Sequence, residues 1–217
     1  MALRVNVGCG EDAVPGWRNF DNSFSVRVAQ VPLLPNVLRK MGLMDNAQYA
    51  FSQTAHRLGL EYADATRGLR LESGSVDVLY SSHMMEHLDK TEASDFLREA
   101  MRVLQPGGII RIAVPDLARQ ARQYSESGDA EAFLAGTILS VPRPRTLLER
   151  LHVFLVGTRH HQWMYDGLSL SRLLQEQGFV NAEVLPAGRT KIQDPAPLDL
   201  HERSSESVYV EAEKPRA

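Results

Sequence analysis

The chain of 217 residues contains a single cysteine, Cys9. One cysteine excludes an internal disulfide framework and a four-cysteine zinc site, and it fits a reducing compartment. No apolar run approaches the ~20 residues that span a bilayer, and a signal peptide is not expected because its cleavage would remove the glycine loop that begins at Gly8. The formal charge of −3 provides no basic field for non-specific nucleic-acid binding. We therefore expect a cytoplasmic protein with no nucleic-acid partner and no stable membrane insertion.

Short strand patterns alternate with helical patterns along most of the chain. The strand patterns cover residues 3–7, 19–21, 62–64, 76–81, 109–114, 179–185 and 207–212. A helix from about Thr91 to Leu104 carries apolar residues at spacings of three and four, and Pro106-Gly107-Gly108 ends it. This alternation predicts parallel βαβ units in an open, doubly wound α/β sheet. We expect the last strand to be added at an edge of the sheet.

Two helical insertions, at about residues 23–59 and 117–161, interrupt the alternation. Insertions of this length in a compact fold are more often functional lids than connectors. The first has a candidate apolar face made of Val37, Leu38, Met41, Met44 and Phe51. The second has a cationic patch that could recruit a phosphate or carboxylate on an acceptor, made of Arg143, Arg145, Arg150, Arg159, His160 and His161. We expect a single domain over residues 1–217, with both insertions as lid or substrate regions.

The first strand ends in the turn Gly8-Cys9-Gly10. Glycines in such a turn permit a tight bend and the close approach of a ligand to the backbone. Asp21 ends the second strand, where a carboxylate can accept hydrogen bonds from both hydroxyls of a ribose. Asp64-Ala65 ends the third, where a carboxylate could accept from an adenine amine. Because ligands of open α/β sheets bind outside the carboxyl ends of the strands, the pattern predicts a nucleoside site.

A dinucleotide is one alternative for this loop, because Gly8, Gly10 and Ala13 satisfy the loose GxGxx[GA] pattern. A pyrophosphate needs the N-terminus of a helix behind the loop, however, and Pro15-Gly16 leaves no room for one. Asp21 also follows Gly10 by 11 positions, whereas about 20 is usual in dinucleotide sites. A cofactor without phosphates, such as S-adenosylmethionine, needs only a few backbone N–H groups for its carboxylate.

Several strings together resemble one enzyme family, the class I S-adenosylmethionine-dependent methyltransferases. More narrowly, they resemble the small bacterial methyltransferase-domain proteins often associated with polysaccharide and other glycan biosynthesis. The strings are VNVGCG (5–10), PGWRNFD (15–21), VDVLYSSHMMEHL (76–88), RVLQPGGIIRIAVPD (102–116) and SVYVEAEKP (207–215), and residues 160–179 are similar to the same group. The resemblance implies a Rossmann-like, seven-stranded, mostly parallel sheet with an antiparallel last strand.

The same resemblance implies the cofactor S-adenosyl-L-methionine and the residues around it. The implied cofactor-binding residues are Gly8, Cys9, Gly10, Asp21, Asp64, Ala65, Ser81, Ser82 and His83. The glycines would line the methionine moiety, Asp21 would hold the ribose, and Asp64 would border the adenine. The short link from Gly10 to Asp21 departs from the family pattern, in which a helix usually connects these positions.

The string His83-Met84-Met85-Glu86-His87 matches the H-x-x-E-H pattern of inverzincin metalloproteases. Two histidines four positions apart on a helix could bind zinc with Glu86 as base, so a zinc-dependent hydrolase is the rival interpretation. The string directly follows a strand, which is expected to place His83 in a turn, off the helix face. We expect no metal here, and we expect Glu86 and His87 to form a hydrogen-bonded pair that fixes the loop beneath the cofactor.

Methyl transfer to a hydroxyl requires alignment, the exclusion of water and a base. His83 and His161 are the candidate catalytic bases, because an unperturbed imidazole titrates near neutral pH. Each could instead be a hydrogen-bonded structural histidine. We expect in-line O-methylation of a small-molecule or glycan-type acceptor. A non-catalytic member that binds only cofactor or a partner is the remaining alternative.

Overall fold

A single seven-stranded sheet organises the computed structural model, which describes residues 3–139 and 160–216. The strands are β1 (Leu3–Val7), β2 (Arg18–Asp21), β3 (Glu61–Tyr62), β4 (Val76–Ser82), β5 (Leu104–Pro115), β6 (Val180–Leu185) and β7 (Ser207–Glu213). The helices are α1 (Phe24–Ala29), α2 (Leu34–Lys40), α3 (Asn46–Leu58), α4 (Lys90–Val103), α5 (Leu117–Ser127), α6 (Ala130–Thr137) and α7 (Gly167–Glu176), and a 3₁₀ turn covers Met85–His87.

The strand order is β3-β2-β1-β4-β5-β7-β6. The neighbouring strands from β3 to β5 pair in parallel, and β7 pairs antiparallel with both β5 and β6. This confirms the Rossmann-like, mostly parallel sheet with an antiparallel last strand. The expected place of that strand was wrong, because β7 lies inside the sheet and β6 forms the edge. The burial of the two strands explains why β7 is internal. Residues Val208–Ala212 are buried, as in a strand covered on both faces, whereas β6 is mostly exposed, as in an edge strand.

Strand β5 begins at Leu104, five residues earlier than the sequence predicts. The Pro106-Gly107-Gly108 string therefore lies within the strand. Gly107 adopts a left-handed φ of 79°, and the register against β4 shifts between Val76 and Val78. The glycines thus form an irregularity in the β-ladder rather than a loop that precedes it.

Helix α4 connects β4 to β5 and fixes the region that follows β4. Asp89 caps it through a capping box with Glu92, which satisfies the free backbone N–H groups of the first turn. Four residues spaced along one helical face are fully buried in the main core: Ala93, Phe96, Leu97 and Ala100. Because parallel strands end at one edge of the sheet, the segments after β1, β2, β3, β4 and β5 all emerge on the same side.

On the β5–β7 side, one ion pair is completely enclosed. Arg111 Nη1 donates to Glu211 Oε1 at 2.6 Å, and both side chains are 0% exposed. Thr190 Oγ1 donates to the same oxygen at 2.6 Å, and the backbone N–H of Lys191 donates to Glu211 Oε2 at 2.7 Å. The carboxylate therefore joins two strands and the 186–206 connection.

The first insertion forms α1, α2 and α3. Met44 and Phe51 are buried as expected. The apolar face proposed for Val37 and Met41 was wrong, because these side chains are 48% and 65% exposed. The break after α2, where Gly42 has a left-handed φ of 70°, separates the two groups.

The second insertion is described for α5 and α6 and again from residue 160. The cationic residues Arg143, Arg145, Arg150 and Arg159 lie outside the described residues. Helix α7 then begins at Gly167, where Asp166 provides the N-cap. None of the helices within residues 3–139 and 160–216 is both long enough and apolar enough to cross a membrane.

Candidate functional site

The glycine loop after β1 takes a conformation that side chains disfavour. Gly8 and Gly10 both have left-handed φ angles, of 71° and 50°, which glycine adopts without steric cost. The N–H groups of Gly8 and Cys9 both donate to Phe20 O, at 2.8 and 3.1 Å. A Cβ added at Gly8 would lie 2.6 Å from the Cβ of Met84, whereas one added at Gly10 would meet no atom within 4 Å. The loop is therefore closed against the segment after β4 at Gly8 and open at Gly10.

Asp21 lies beside that open position. Its Oδ2 accepts from the backbone N–H of Gly10 at 3.1 Å, and its Oδ1 accepts from the N–H of Ser23 at 2.8 Å. Each carboxylate oxygen can accept more than one hydrogen bond, so capacity remains for the hydroxyls of a ribose. The structure thus brings together the glycine loop and the carboxylate that the sequence predicted for one ligand.

No helix lies between β1 and β2, as the Pro15-Gly16 pair predicts. Two buried asparagines organise the connection instead. Asn19 Oδ1 accepts from the N–H of Val14 at 2.8 Å and from the side-chain amide of Asn6 at 3.2 Å. Asn6 also donates to Asp12 O at 2.9 Å. The sequence analysis missed these two amides, although buried asparagines within short strands are a signal that side chains replace the missing backbone hydrogen bonds.

Asp64 and Ala65 follow β3 on the same edge of the sheet. Asp64 Oδ1 accepts from the backbone N–H and the hydroxyl of Thr66, at 3.0 and 2.7 Å. Its Oδ2 lies 3.3 Å from Nε of Arg67, and Ala65 is buried. The carboxylate already stabilises its own turn, so a contact with an adenine amine stays a prediction.

Ser81 and Ser82 end β4 and differ in their partners. The Ser81 hydroxyl is buried and has no hydrogen-bond partner within the part of the chain that the structure describes. Ser82 Oγ donates to Glu202 Oε1 at 2.6 Å, and the Tyr80 hydroxyl donates to Glu202 Oε2 at 2.8 Å. The sequence analysis did not identify Glu202, which lies 120 positions from Ser82 in a segment without a regular pattern.

His83 occupies the turn directly after β4. Its φ of 48° is left-handed, a conformation that is uncommon for a residue with a side chain, and its N–H donates to Ala113 O at 2.9 Å. The ring bridges two partners, with Nε2 2.8 Å from Ser207 Oγ and Nδ1 3.3 Å from Glu86 Oε1. His83 is therefore outside any helix, and the helical face that the H-x-x-E-H pattern needs does not form.

Glu86 lies between two of the histidines. Its side chain is 1% exposed, and Oε1 lies 3.3 Å from His83 Nδ1 and 3.9 Å from His161 Nε2. Oε2 has no hydrogen-bond partner among residues 3–139 and 160–216. The expected pair of Glu86 with His87 is thus replaced by a carboxylate between His83 and His161.

The segment after the second insertion covers this carboxylate. The N–H groups of Gln162 and Trp163 both donate to Glu86 O, at 2.7 and 3.2 Å. Burial lowers the pKa of His161, opposed in part by the charge of Glu86. Burial, and then the charge of Glu86, raises the pKa of Tyr165 to about 12. Burial therefore favours the neutral form of His161, while Tyr165 stays protonated.

Residues 5–112 match the model of a methyltransferase domain family. Among solved structures, a methyltransferase from Methanosarcina mazei superposes with a TM-score of 0.54 at 14% identity, covering 99% of this chain and 93% of that chain. A possible histamine N-methyltransferase from Thermotoga maritima gives 0.53 at 14% identity, over 99% of this chain and 83% of that chain. A comparison with curated proteins found no match.

The sheet order, the glycine loop and these matches define the class I methyltransferase fold. The protein is an S-adenosylmethionine-dependent methyltransferase, and its cofactor is S-adenosyl-L-methionine. The Gly10–Asp21 contact and the space at Gly10 fit that cofactor, because they provide backbone and carboxylate groups beside an open position. The family model and the solved structures give no support to a zinc-dependent hydrolase.

Proposed function

We propose that this methyltransferase acts on a hydroxyl of a small-molecule or glycan-type acceptor. The observation that carries the proposal is the burial of Glu86 between His83 and His161 at the end of β4. S-Adenosylmethionine, when bound, supplies an electrophilic methyl group on a good leaving group. A hydroxyl attacks it readily only when a base removes the hydroxyl proton.

The cofactor would lie against the residues that the sequence predicted. Gly8, Cys9 and Gly10 would bind the methionine part, and Asp21 the ribose hydroxyls. Asp64 and Ala65 would border the adenine, and Ser81 to His83 would close the site after β4. The orphaned hydroxyl of Ser81 supports this assignment, because a buried polar atom without a partner costs free energy unless a ligand or water satisfies it.

His83 and His161 are the groups that could take the hydroxyl proton. Both lie beside the same oxygen of Glu86, so the carboxylate would stabilise whichever imidazole becomes charged. Nδ1 of His161 has no hydrogen-bond partner in the described part of the chain, which leaves one ring nitrogen available. The burial of both rings would also exclude water from the reacting groups.

The two insertions would form the acceptor side of a single domain. Their helices α1 to α3 and α5 to α6 depart from the sheet at the ends of β2 and β5, the edge at which ligands of such sheets bind. The arginine-rich sequence of the second insertion would suit an acceptor that carries phosphate or carboxylate. The resemblance to glycan-associated methyltransferases favours a sugar hydroxyl.

The direct test is the transfer of a labelled methyl group from S-adenosylmethionine into extracts of the source cell. We expect one labelled product, whose methyl group resists the treatments that remove methyl esters and is located on an ether oxygen by mass spectrometry. A labelled nitrogen would contradict O-methylation. Binding of S-adenosylhomocysteine without transfer to any acceptor in a broad panel would instead indicate a non-catalytic protein.

The base is tested by His83→Asn and His161→Asn, with the exposed His56→Asn on α3 as the matched control. We expect at least one of the first two to lower kcat by about 10²–10⁴-fold. The affinity for S-adenosylhomocysteine should stay nearly unchanged in His161→Asn, which lies outside the proposed cofactor site. Full activity in both would remove the histidines from the mechanism.

A further inference from the structure

Three side chains after β4 and after the second insertion form a group with metal-ligand chemistry. The potential ligand atoms of Glu86, His87 and His161 all lie within 4.8 Å of one another. Two ligands of a tetrahedral zinc ion are about 3.4 Å apart, given metal–ligand distances of about 2.0–2.2 Å. Side-chain movements of about 1 Å would therefore bring the three atoms around one ion. Two imidazoles and one carboxylate are a common ligand set of zinc and related ions.

The hydrogen bond of His87 fixes which of its nitrogens can bind a cation. Its Nδ1 lies 3.1 Å from the backbone oxygen of His160. A carbonyl oxygen only accepts hydrogen bonds, so Nδ1 carries the proton and the neutral ring has its lone pair on Nε2. Metal-binding histidines usually donate their second N–H to a carbonyl or a carboxylate in this way.

The burial of the Glu86 carboxyl group, with one oxygen unpartnered in the described part of the chain, is the second indication of a cation. A buried carboxylate is costly unless an opposite charge or several hydrogen bonds compensate it. Within the described residues, Glu86 has ion-pair partners only in His83 and His161, and its Oε2 has no hydrogen-bond partner. The ring of His161 meets that of His87 edge-on, with centroids 5.0 Å apart, so both imidazoles border the same space.

We propose that Glu86, His87 and His161 bind one divalent transition-metal ion of the zinc type. This departs from the expected absence of a metal, and it uses a different set of residues from the His83–His87 pair of the rejected hydrolase pattern. Three protein ligands leave a fourth position open, which an acceptor hydroxyl can occupy. The binding of the ion stands by itself, whereas its role in methyl transfer rests on the proposed function.

In that role the ion activates the acceptor hydroxyl and His83 accepts its proton, so a second histidine base is not needed. The ion lowers the pKa of the acceptor hydroxyl. The O–H bond would break, and its proton would pass to Nε2 of His83, the nitrogen that faces Ser207 Oγ, because Nδ1 faces the Glu86 carboxylate. The electron pair left on the oxygen would form the new O–C bond as the methyl–sulfur bond of the bound cofactor breaks, and S-adenosylhomocysteine would leave with the electrons of that bond. His161 is then a ligand and takes no proton, so His83 is the single base.

The test titrates the full chain, treated with a chelator and dialysed, with Co²⁺ in the absence of cofactor and acceptor. Imidazole-bound Co²⁺ of low coordination number absorbs visible light more strongly than the aqueous ion, so the spectrum reports the site directly. We expect one Co²⁺ per chain, displaced by Zn²⁺. Glu86→Gln and His87→Ala should weaken the binding at least tenfold, while His56→Ala should leave it unchanged.

Binding of S-adenosylhomocysteine by the same variants serves as the control for folding, since neither change touches the glycine loop or Asp21. If a variant fails that control, the thermal unfolding of the wild-type chain tests the proposal instead. Its Tm should rise in proportion to the logarithm of the Zn²⁺ concentration. Absence of stoichiometric Co²⁺ binding, or equal binding by folded Glu86→Gln and wild type, would overturn the proposal. Failure to methylate any hydroxyl would leave the Co²⁺ result intact and contradict only the proposed function.

Discussion

The backbone N–H of Gly10 donates to Oδ2 of Asp21 at 3.1 Å, which joins the turn after β1 to the end of β2. The carboxylate also accepts from the N–H of Ser23, at 2.8 Å, so its orientation is fixed before any ligand arrives. A fixed acceptor loses little entropy on binding. The same residue therefore shapes the loop and offers the hydrogen-bonding capacity that a ribose needs.

Asp21→Ala should weaken the binding of S-adenosylhomocysteine by about 10–100-fold. A hydrogen bond to a charged group contributes about 1.5–3 kcal/mol, and tenfold in affinity corresponds to about 1.4 kcal/mol. Isothermal titration calorimetry measures the change. Asp12→Ala is the matched control, because Asp12 is an exposed carboxylate in the same connection; equal affinities of the two variants would remove Asp21 from the cofactor site.

Gly8→Ala should destabilise the fold more than Gly74→Ala. Both positions have left-handed φ angles, of 71° and 69°, so both substitutions introduce about 1–2 kcal/mol of backbone strain. Only at Gly8 does the new Cβ collide with Met84, while nothing lies within 4 Å at Gly74. Urea unfolding should show the difference as a lower midpoint for Gly8→Ala, and similar midpoints would mean that the segment after β4 moves away freely.

Cys9 should react slowly with thiol reagents in the folded protein. Burial, assisted by the charge of Asp21, raises the pKa of its thiol to about 12. Since the thiolate is the reactive form, the rate at pH 8 should fall by about a thousandfold relative to the chain unfolded in urea. The single cysteine makes the readout unambiguous. Equal rates in the folded and unfolded protein would show that the turn is open to solvent.

Glu211→Gln should be among the most destabilising single changes in the sheet. It would leave the charge of Arg111 buried without a counter-ion, and such a loss costs about 3–5 kcal/mol. The control is Glu61→Gln, which breaks the partly exposed pair with Arg18 and should cost about 1 kcal/mol or less. Denaturant unfolding compares the two; a small effect at Glu211 would mean that water reaches Arg111.

The N-cap of α7 should make part of the stability pH-dependent. Hydrogen bonds from Ser169, first from its backbone N–H and then from its side chain, lower the pKa of Asp166. A carboxyl group whose pKa is lower in the folded state than in the unfolded state stabilises the fold at pH values above its unfolded-state pKa. This contribution is lost as the pH falls through the folded-state pKa. Asp166→Ala should therefore cost about 1 kcal/mol at pH 7, and the difference from wild type should shrink below about pH 4. A pH-independent difference would contradict this origin.

The sequence correctly predicted the strands and helices in which buried residues recur at the regular spacing of that element. Strand β4 is a run of β-formers, and α4 has apolar residues at spacings of three and four with a capping box before them. For the same reason the turn at Gly8 and the carboxylate at Asp21 could be placed from the sequence. Their positions depend on the ends of regular elements and not on distant contacts.

The proximity of Glu86, His87 and His161 could not be predicted from the sequence. His87 and His160 are 73 positions apart, and nothing in either string indicates that the two segments meet. The sequence did place His83 in a turn off the helix face, and its left-handed φ confirms this. Contacts made across a long insertion depend on the tertiary fold, which local propensity does not encode.

The position of β7 has a consequence for how the chain reaches its native state. This strand is the last of the seven to leave the ribosome, yet it pairs with β5 on one side and β6 on the other. Until residues 207–213 emerge, the backbone N–H and C=O groups with which β5 and β6 pair to β7 have no hydrogen-bond partner in the sheet. The sheet is therefore complete only after β7 has been synthesised. Before that, β5 has an unpaired edge that can aggregate with other nascent chains.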